Sequence, residues 1–273
     1  MCVPKRFVPG PSSSKISAMK PKTLILRTAG TNCDAETAHA FERAGASCEK
    51  MHVNRLLENP SLLAGYQIMA IPGGFSYGDD IAAGRIFANQ IRHHLSDVFH
   101  QFVDAGKPII GICNGFQVLV KTELLPGPLA GKTGQTCTLA HNDSGRFIDR
   151  WVKVKPRGSK CIWTRDLDPI ELPIAHGEGK FIPSTPEVRD ALWANDQVAL
   201  VYEGGNPNGS TDDIAGVCDA TGLVFGLMPH PERHVDATQH PAWTRLESLP
   251  TEGQGLQIFR NAVRHSMSAS GAR

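Results

Sequence analysis

Short apolar runs alternate with amphipathic stretches through the first half of the chain, and this rhythm predicts strands and helices in turn. Thr23-Leu24-Ile25-Leu26-Arg27 reads as a strand, followed by a turn over residues 29–32. Asn32 or Asp34 is placed to cap a helix reaching about Ala44, with Ala35, Ala38 and Phe41 on one face and Gly45 ending it. Residues 47–53 read as a second strand, 54–63 as a short helix and 67–71 as a third strand. That strand runs into the glycine-rich loop Pro72-Gly73-Gly74-Phe75-Ser76-Tyr77-Gly78-Asp79-Asp80. Residues 81–104 read as one long helix ended by Gly106. A β-branched strand over 109–112 then turns into a helix carrying Phe116, Val118 and Leu119. Strands alternating with helices in this way imply a parallel sheet with right-handed crossovers, whose function gathers beyond the carboxyl ends of its strands.

After Leu125-Pro126-Gly127 the rhythm changes. Residues 131–160 hold shorter, more polar strands, such as 147–154, and predict an antiparallel excursion on the same domain. Residues 171–175 lead into the loop His176-Gly177-Glu178-Gly179, and 186–194 reads as a helix. Residues 198–202 and 214–218 read as strands. The apolar run over 223–228 is the last strong strand, and it delivers Pro229-His230-Pro231-Glu232-Arg233-His234. Residues 235–255 read as a loop and 256–267 as a closing helix. The expected fold is α/β: a three-layer sandwich with a mainly parallel central sheet, a nucleophile elbow and a small antiparallel excursion over residues 22–273.

Length and charge narrow this picture. A chain of 273 residues can bury one large core, and a formal net charge of +1 gives no reason to expect nucleic acid or an anionic membrane as partner. No apolar run approaches the roughly 18 residues of a membrane helix. The seven cysteines are scattered and form no CxxC pair, so neither a zinc site nor a disulfide framework is indicated, and a reducing cytoplasm fits best. Residues 1–21 carry Lys5, Arg6, Pro9, Pro11 and three consecutive serines without the apolar centre of a signal peptide. They are expected to be a disordered tail, with Met19 an alternative start.

The chemistry centres on Cys113, which stands where the strand becomes a helix, between Gly111 and Gly115. A sharp strand-to-helix turn lifts its middle residue above the sheet, and small neighbours make room for the bend. The helix N-terminus favours a thiolate and turns free N–H groups toward a developing oxyanion. A cysteine nucleophile needs a base, and the base an orienting partner. Of eleven histidines, His230 alone follows a glycine-containing strand at the same sheet edge, and in an extended His-Pro-Glu segment Glu232 points the same way as His230. A lone buried cysteine is most often core, and a lone His-Pro-Glu most often a loop. It is their occurrence together with the Gly73-Gly74 loop that marks a site.

Gly111-Ile112-Cys113-Asn114-Gly115-Phe116-Gln117 with His230-Pro231-Glu232 resembles the class I (triad) glutamine amidotransferases. The 72–79 loop, Ala175-His176-Gly177-Glu178-Gly179, Asn206-Pro207-Asn208-Gly209-Ser210, Asp213-Ile214-Ala215-Gly216 and the residues around His230 are similar, more narrowly, to the glutaminase components of phosphoribosylformylglycinamidine synthases, enzymes of purine biosynthesis. His141-Asn142-Asp143-Ser144-Gly145-Arg146-Phe147 also resembles the glutaminase part of their large single-chain forms. The resemblance runs over about residues 22–234 and resumes near Gly255; the tail and residues 235–252 depart from the short subunit form.

It implies that Cys113, His230 and Glu232 hydrolyse glutamine to glutamate and ammonia. The backbone N–H groups of Asn114 and Gly74 would hold the oxyanion, and Gly73, Gln117, His176, Gly177 and Glu178 would line the glutamine site. No metal is expected on this chain, which has no Gly-x-x-x-x-Gly-Lys-Ser/Thr phosphate loop. The resemblance places ATP, magnesium and the ribonucleotide substrate on a large synthetase subunit, joined by a small bridging subunit. The alternatives are a stand-alone cysteine amidase or peptidase of the same architecture, and a silent scaffold subunit.

Overall fold

Gly111 and Gly226 sit opposite each other on neighbouring parallel strands, and their missing side chains let a helix lie close on the sheet. The computed structural model describes residues 20–79 and 82–271. Its first half alternates as expected: β1 (Lys22–Arg27), α1 (Asp34–Arg43), β2 (Ser47–His52), α2 (Val53–Glu58), β3 (Ile68–Ile71), α3 (Arg85–His94), α4 (Ser96–Asp104), β4 (Ile109–Ile112) and α5 (Asn114–Lys121). The second half adds β5 (Cys137–Ala140), β6 (Ile148–Pro156), β7 (Ile170–His176), β8 (Lys180–Pro183), α6 (Pro186–Ala194), β9 (Val198–Glu203), β10 (Ile214–Cys218), β11 (Val224–Leu227) and α7 (Leu256–Gly271).

Nine strands form one sheet in the order β2-β1-β3-β4-β11-β10-β9-β6-β7. The first five pair in parallel, and β10, β9, β6 and β7 extend the sheet antiparallel. The antiparallel excursion is therefore part of the main sheet, and β5 pairs with β8 in a separate two-stranded sheet. Side chains alternate across the central strands. A Cβ on Gly226 would meet the Phe116 ring of α5, whereas Phe225 stacks on Trp163, which lies against Phe41 of α1; Phe41 in turn meets Phe259 of α7. So α5 covers one face, α1 and α7 the other, and the molecule has three layers. Among the described residues no helix is long and apolar enough to cross a membrane.

Several local expectations are corrected. The helix expected over 81–104 is two helices, because Gly84 (φ +70°) holds the turn before α3 and Leu95 (φ −126°) breaks the axis between α3 and α4. Ile81 itself lies outside the described residues. The helix expected over 54–63 stops at Glu58, where Pro60 keeps Asn59 out of the helical region, and a 3-10 helix over Pro60–Gly65 follows. Neither Asn32 nor Asp34 caps α1; Cys33 holds the N-cap position, makes no side-chain cap bond and donates its backbone N–H to Gly73 O (3.2 Å). The 235–255 loop contains short 3-10 turns at Ala237–Gln239 and Trp243–Arg245. Of the expected tail, residues 1–19, with the alternative start, lie outside the described residues.

Candidate active site

Cys113 links β4 to α5 at φ +51°, ψ −104°, a conformation that costs a non-glycine residue on the order of 1–3 kcal/mol. Its neighbours hold it there. Cys113 N–H donates to Leu227 O (2.8 Å), and Gln117 N–H is satisfied by Cys113 O (3.1 Å). A Cβ on Gly111 would come 2.5 Å from Gly115 O, and a Cβ on Gly115 would overlap Ile71 O. The glycine bracket is thus a steric requirement of the elbow. The first-turn N–H groups of α5 have no intrahelical acceptor and face the space beyond β4.

Leu227 pairs with Ile112, so β11 delivers His230 to the same edge. His230 Nδ1 lies 2.6 Å from Glu232 Oε1, with both side chains buried. The segment is not extended as expected. Pro231, its φ already suited to a helical first position, opens a 3-10 turn over Pro231–Arg233 that brings Glu232 back under the ring. Burial works against charge on His230, but the Glu232 carboxylate, then the Cys113 and Cys33 sulfurs, outweigh it and raise its pKa well above the ordinary histidine value. His230 Nε2 and Glu232 Oε2 are buried with no hydrogen-bond partner of their own.

The Gly73-Gly74 loop closes the other side. A Cβ on Gly73 would come 2.8 Å from His230 Cε1, 3.3 Å from Cys33 Sγ and 3.5 Å from Cys113 Cβ. Gly74 (φ +147°) presses against the 30–32 backbone, where a Cβ would meet Gly30 O at 2.6 Å. Phe75 N–H donates to Gly30 O (2.9 Å), which fixes this loop to the turn after β1.

A cleft of about 240 Å³ opens over Cys113, a volume suited to one amino acid. Gly74, Gln117, His176, Gly177 and Glu178 line it, so the structure brings these expected site residues together with Cys113. Protein partners hold several of them in place. Gln117 donates through Nε2 to Glu178 O (2.6 Å) and accepts at Oε1 from Asn114 Nδ2 (3.0 Å), so it ties the 177–179 loop to α5. The Asn114 side chain accepts from Ser76 Oγ (2.6 Å) and donates to Asp79 Oδ1 (3.2 Å). His176 is buried, with Nδ1 3.1 Å from Asn142 Oδ1 and Nε2 unpartnered; burial, then the charge of His230, push its pKa down to about 4.

Residues not singled out from the sequence also shape the site. Asn142 braces the 176–179 loop, donating to His176 O (2.8 Å) and accepting from Gly179 N–H (3.1 Å). Asp79 lines the cleft, its pKa raised by burial. Phe75 and Phe147 stand exposed at the mouth with ring centroids 6.4 Å apart. Cys33 and Arg233 lie beside the triad, with Arg233 Nη2 3.1 Å from Cys33 Sγ. The one signal for Cys33 was its place just past the carboxyl end of a parallel strand, where sites collect.

Comparison with known proteins bears on what this arrangement does. Residues 20–266 match the model of the CobB/CobQ-like glutamine amidotransferase domain. A phosphoribosylformylglycinamidine synthase subunit PurQ from Dehalococcoides mccartyi is 52% identical over 255 residues, which cover 90% of this chain and 97% of that protein. The PurQ subunit of Methanococcus maripaludis is 39% identical over 265 residues, again 90% and 97% of the two chains. Among solved structures, a chain of PurLQS from Thermotoga maritima superposes with a TM-score of 0.70 and 31% identity, covering 90% of this chain and 99% of that one. A putative GMP synthase component from Thermoplasma acidophilum, at TM-score 0.58 and 14% identity, covers 93% of this chain and 97% of its own and shares the fold.

Proposed function

This chain belongs to the CobB/CobQ-like glutamine amidotransferase domain family, and from that premise we propose that it is the glutaminase subunit of a phosphoribosylformylglycinamidine synthase. It hydrolyses glutamine and supplies the ammonia to a synthetase subunit, which converts formylglycinamide ribonucleotide to formylglycinamidine ribonucleotide at the expense of ATP. The observation that carries the chemistry is the meeting of a left-handed Cys113 at the elbow with the buried His230–Glu232 pair at 2.6 Å.

The steps that this reading implies begin at the thiol. His230 takes the Cys113 proton, and the sulfur attacks the glutamine side-chain carbon. Negative charge moves to the amide oxygen, which the Asn114 and Gly74 N–H groups receive; losing one such donor typically costs about 100- to 1000-fold in rate. The imidazolium returns its proton to the leaving nitrogen as the C–N bond breaks, giving ammonia and a thioester on Cys113. His230 then deprotonates water, which releases glutamate and restores the thiol. Glu232 holds the ring tautomer and balances its charge throughout. Gly73, Gln117, His176, Gly177 and Glu178 shape and brace the glutamine cleft.

We assign ATP, magnesium and the ribonucleotide to the synthetase subunit, and a small third subunit to bridging the two, a reading supported by the likeness to PurLQS. Ammonia released into bulk water would be protonated and lost as a nucleophile, so a sealed path between subunits is the physical requirement. The test is ammonia release from glutamine by wild type and Cys113→Ala, alone and with the synthetase subunit. Release that depends on Cys113 and rises with the partner is expected. Equal rates with and without Cys113 would overturn the assignment.

A further inference from the structure

A second sulfur, that of Cys33, lies near the His230 ring, and nothing in the thioester chemistry above uses it. Cys33 sits at the N-cap of the ten-residue α1 and is 1% exposed. Its sulfur, a His230 ring nitrogen and a Glu232 carboxylate oxygen all lie within 4.8 Å of one another. Its backbone N–H is tied to Gly73 O (3.2 Å), so it is seated on the loop that closes the site. Arg233, next in sequence to Glu232, donates from Nη2 to the same sulfur at 3.1 Å. A sulfur that accepts from a guanidinium is fixed in place and keeps a lone pair for a second donor.

The reaction gives such an acceptor a purpose. Once His230 has taken the Cys113 proton, its imidazolium is balanced by Glu232 at one nitrogen and by the Cys113 sulfur at the other edge. When that sulfur bonds to the glutamine side-chain carbon, in the tetrahedral adduct before the C–N bond breaks, it becomes neutral and stops balancing the ring. At that stage His230 still carries the proton owed to the leaving ammonia. We propose that Cys33 and Arg233 form a positioning pair for His230, with Arg233 presenting the Cys33 sulfur to the imidazole as a second acceptor that stays in place once the Cys113 sulfur has bonded to the substrate carbon. This rests on the reading of Cys113 as the glutaminase nucleophile. Burial of Arg233 resists its charge, and the Cys33 sulfur, ahead of Glu232 and Cys113, reverses that resistance. The titratable groups facing the ring are Glu232 and Arg233 from the turn after β11, Cys113 from the elbow, Cys33 from α1 and His176 from the end of β7.

The test combines glutamine hydrolysis in the complex with nitrogen NMR of the histidine-labelled chain. In Cys33→Ala, kcat is expected to fall about tenfold with KM for glutamine within about twofold. The alkaline limb of the rate profile and the titration of the His230 ring both move to lower pH. Cys33→Ser, which keeps a polar acceptor, recovers part of both, and Arg233→Gln copies Cys33→Ala. Should Cys33→Ala not fold, Cys33→Ser and Arg233→Gln carry the same readouts. An unmoved His230 titration in the folded variants overturns the pair, even if the rate falls, since a merely structural role leaves the ring's titration where it was. Wild-type protein without Cys113-dependent ammonia release would instead overturn the glutaminase reading, and the His230 titration would still decide for or against the pair.

Discussion

Gly73 stands against the edge of the His230 imidazole, so close that a methyl group on it would come within 2.8 Å of Cε1. The obstacle is a side chain, and side chains give way more readily than backbone. Gly73→Ala is therefore expected to fold while pushing the ring away from Cys113. A displacement on the order of 1 Å in a catalytic group costs about 100-fold in rate. Glutamine hydrolysis should fall by about that factor, with a melting temperature close to that of wild type. Wild-type turnover in the alanine variant would show that the ring has room the structure does not indicate.

Gly115 is the contrasting case. A Cβ there would overlap Ile71 O, a backbone atom of the central strand β3, which has no rotamer to escape into. Gly115→Ala is expected to destabilise the fold itself, by about 3 kcal/mol, at the upper end of overpacking costs. Urea unfolding is the measurement. A loss of activity at unchanged midpoint would mean that the elbow relaxes independently of the sheet.

How much of this was legible in the chain depended on whether the signal was local. The elbow was readable because Ile109, Ile110 and Ile112 make a strand and the two glycines admit one bend, at Cys113. The parallel half was readable for a similar reason: β1, β3, β4 and β11 each carry a short apolar run, and Gly45 separates α1 from β2. The break at Leu95 was not, because the apolar pattern continues through it and Phe99 N–H still bonds Leu95 O (3.0 Å). β8 holds two apolar residues, Phe181 and Ile182, and exists as a strand by pairing with β5 some forty positions earlier, information no local window contains. Cys33 looked like any core cysteine until Arg233, two hundred residues away, was seen against its sulfur.

Glu232 sets the charge of His230, and a neutral replacement tests that without disturbing shape. Glu232→Gln keeps an oxygen for Nδ1 but leaves burial as the dominant influence, which favours the neutral ring. Loss of the orienting carboxylate costs roughly 100- to 10,000-fold in kcat in comparable triads. Stability carries a sign as well. In wild type the folded pKa lies above the unfolded value of about 6.5. The pair's contribution is thus complete below that pH and is lost as pH rises through the folded pKa. The advantage of wild type over Glu232→Gln in urea should therefore be larger at pH 6 than at pH 9. Parallel curves across that range would mean that His230 is neutral in the folded protein.

His176 behaves in the opposite sense, and the same linkage makes it testable. Its folded pKa is pushed down to about 4, by burial first and the His230 charge second, while the unfolded ring titrates near 6.5. Between those values the unfolded chain takes up a proton that the folded one refuses, so stability falls as pH drops from about 6.5 to about 4. The full loss is on the order of 3 kcal/mol. A neutral imidazole at His176 fits the site: it avoids a second positive charge beside His230 and leaves Nε2 free to meet a polar group in the cleft. His176→Gln retains a donor for Asn142 Oδ1 but cannot titrate. Its unfolding free energy should fall less steeply than that of wild type between pH 6.5 and 4. If both proteins lose stability equally over that window, His176 is already protonated in the folded state, and the cleft holds two cations.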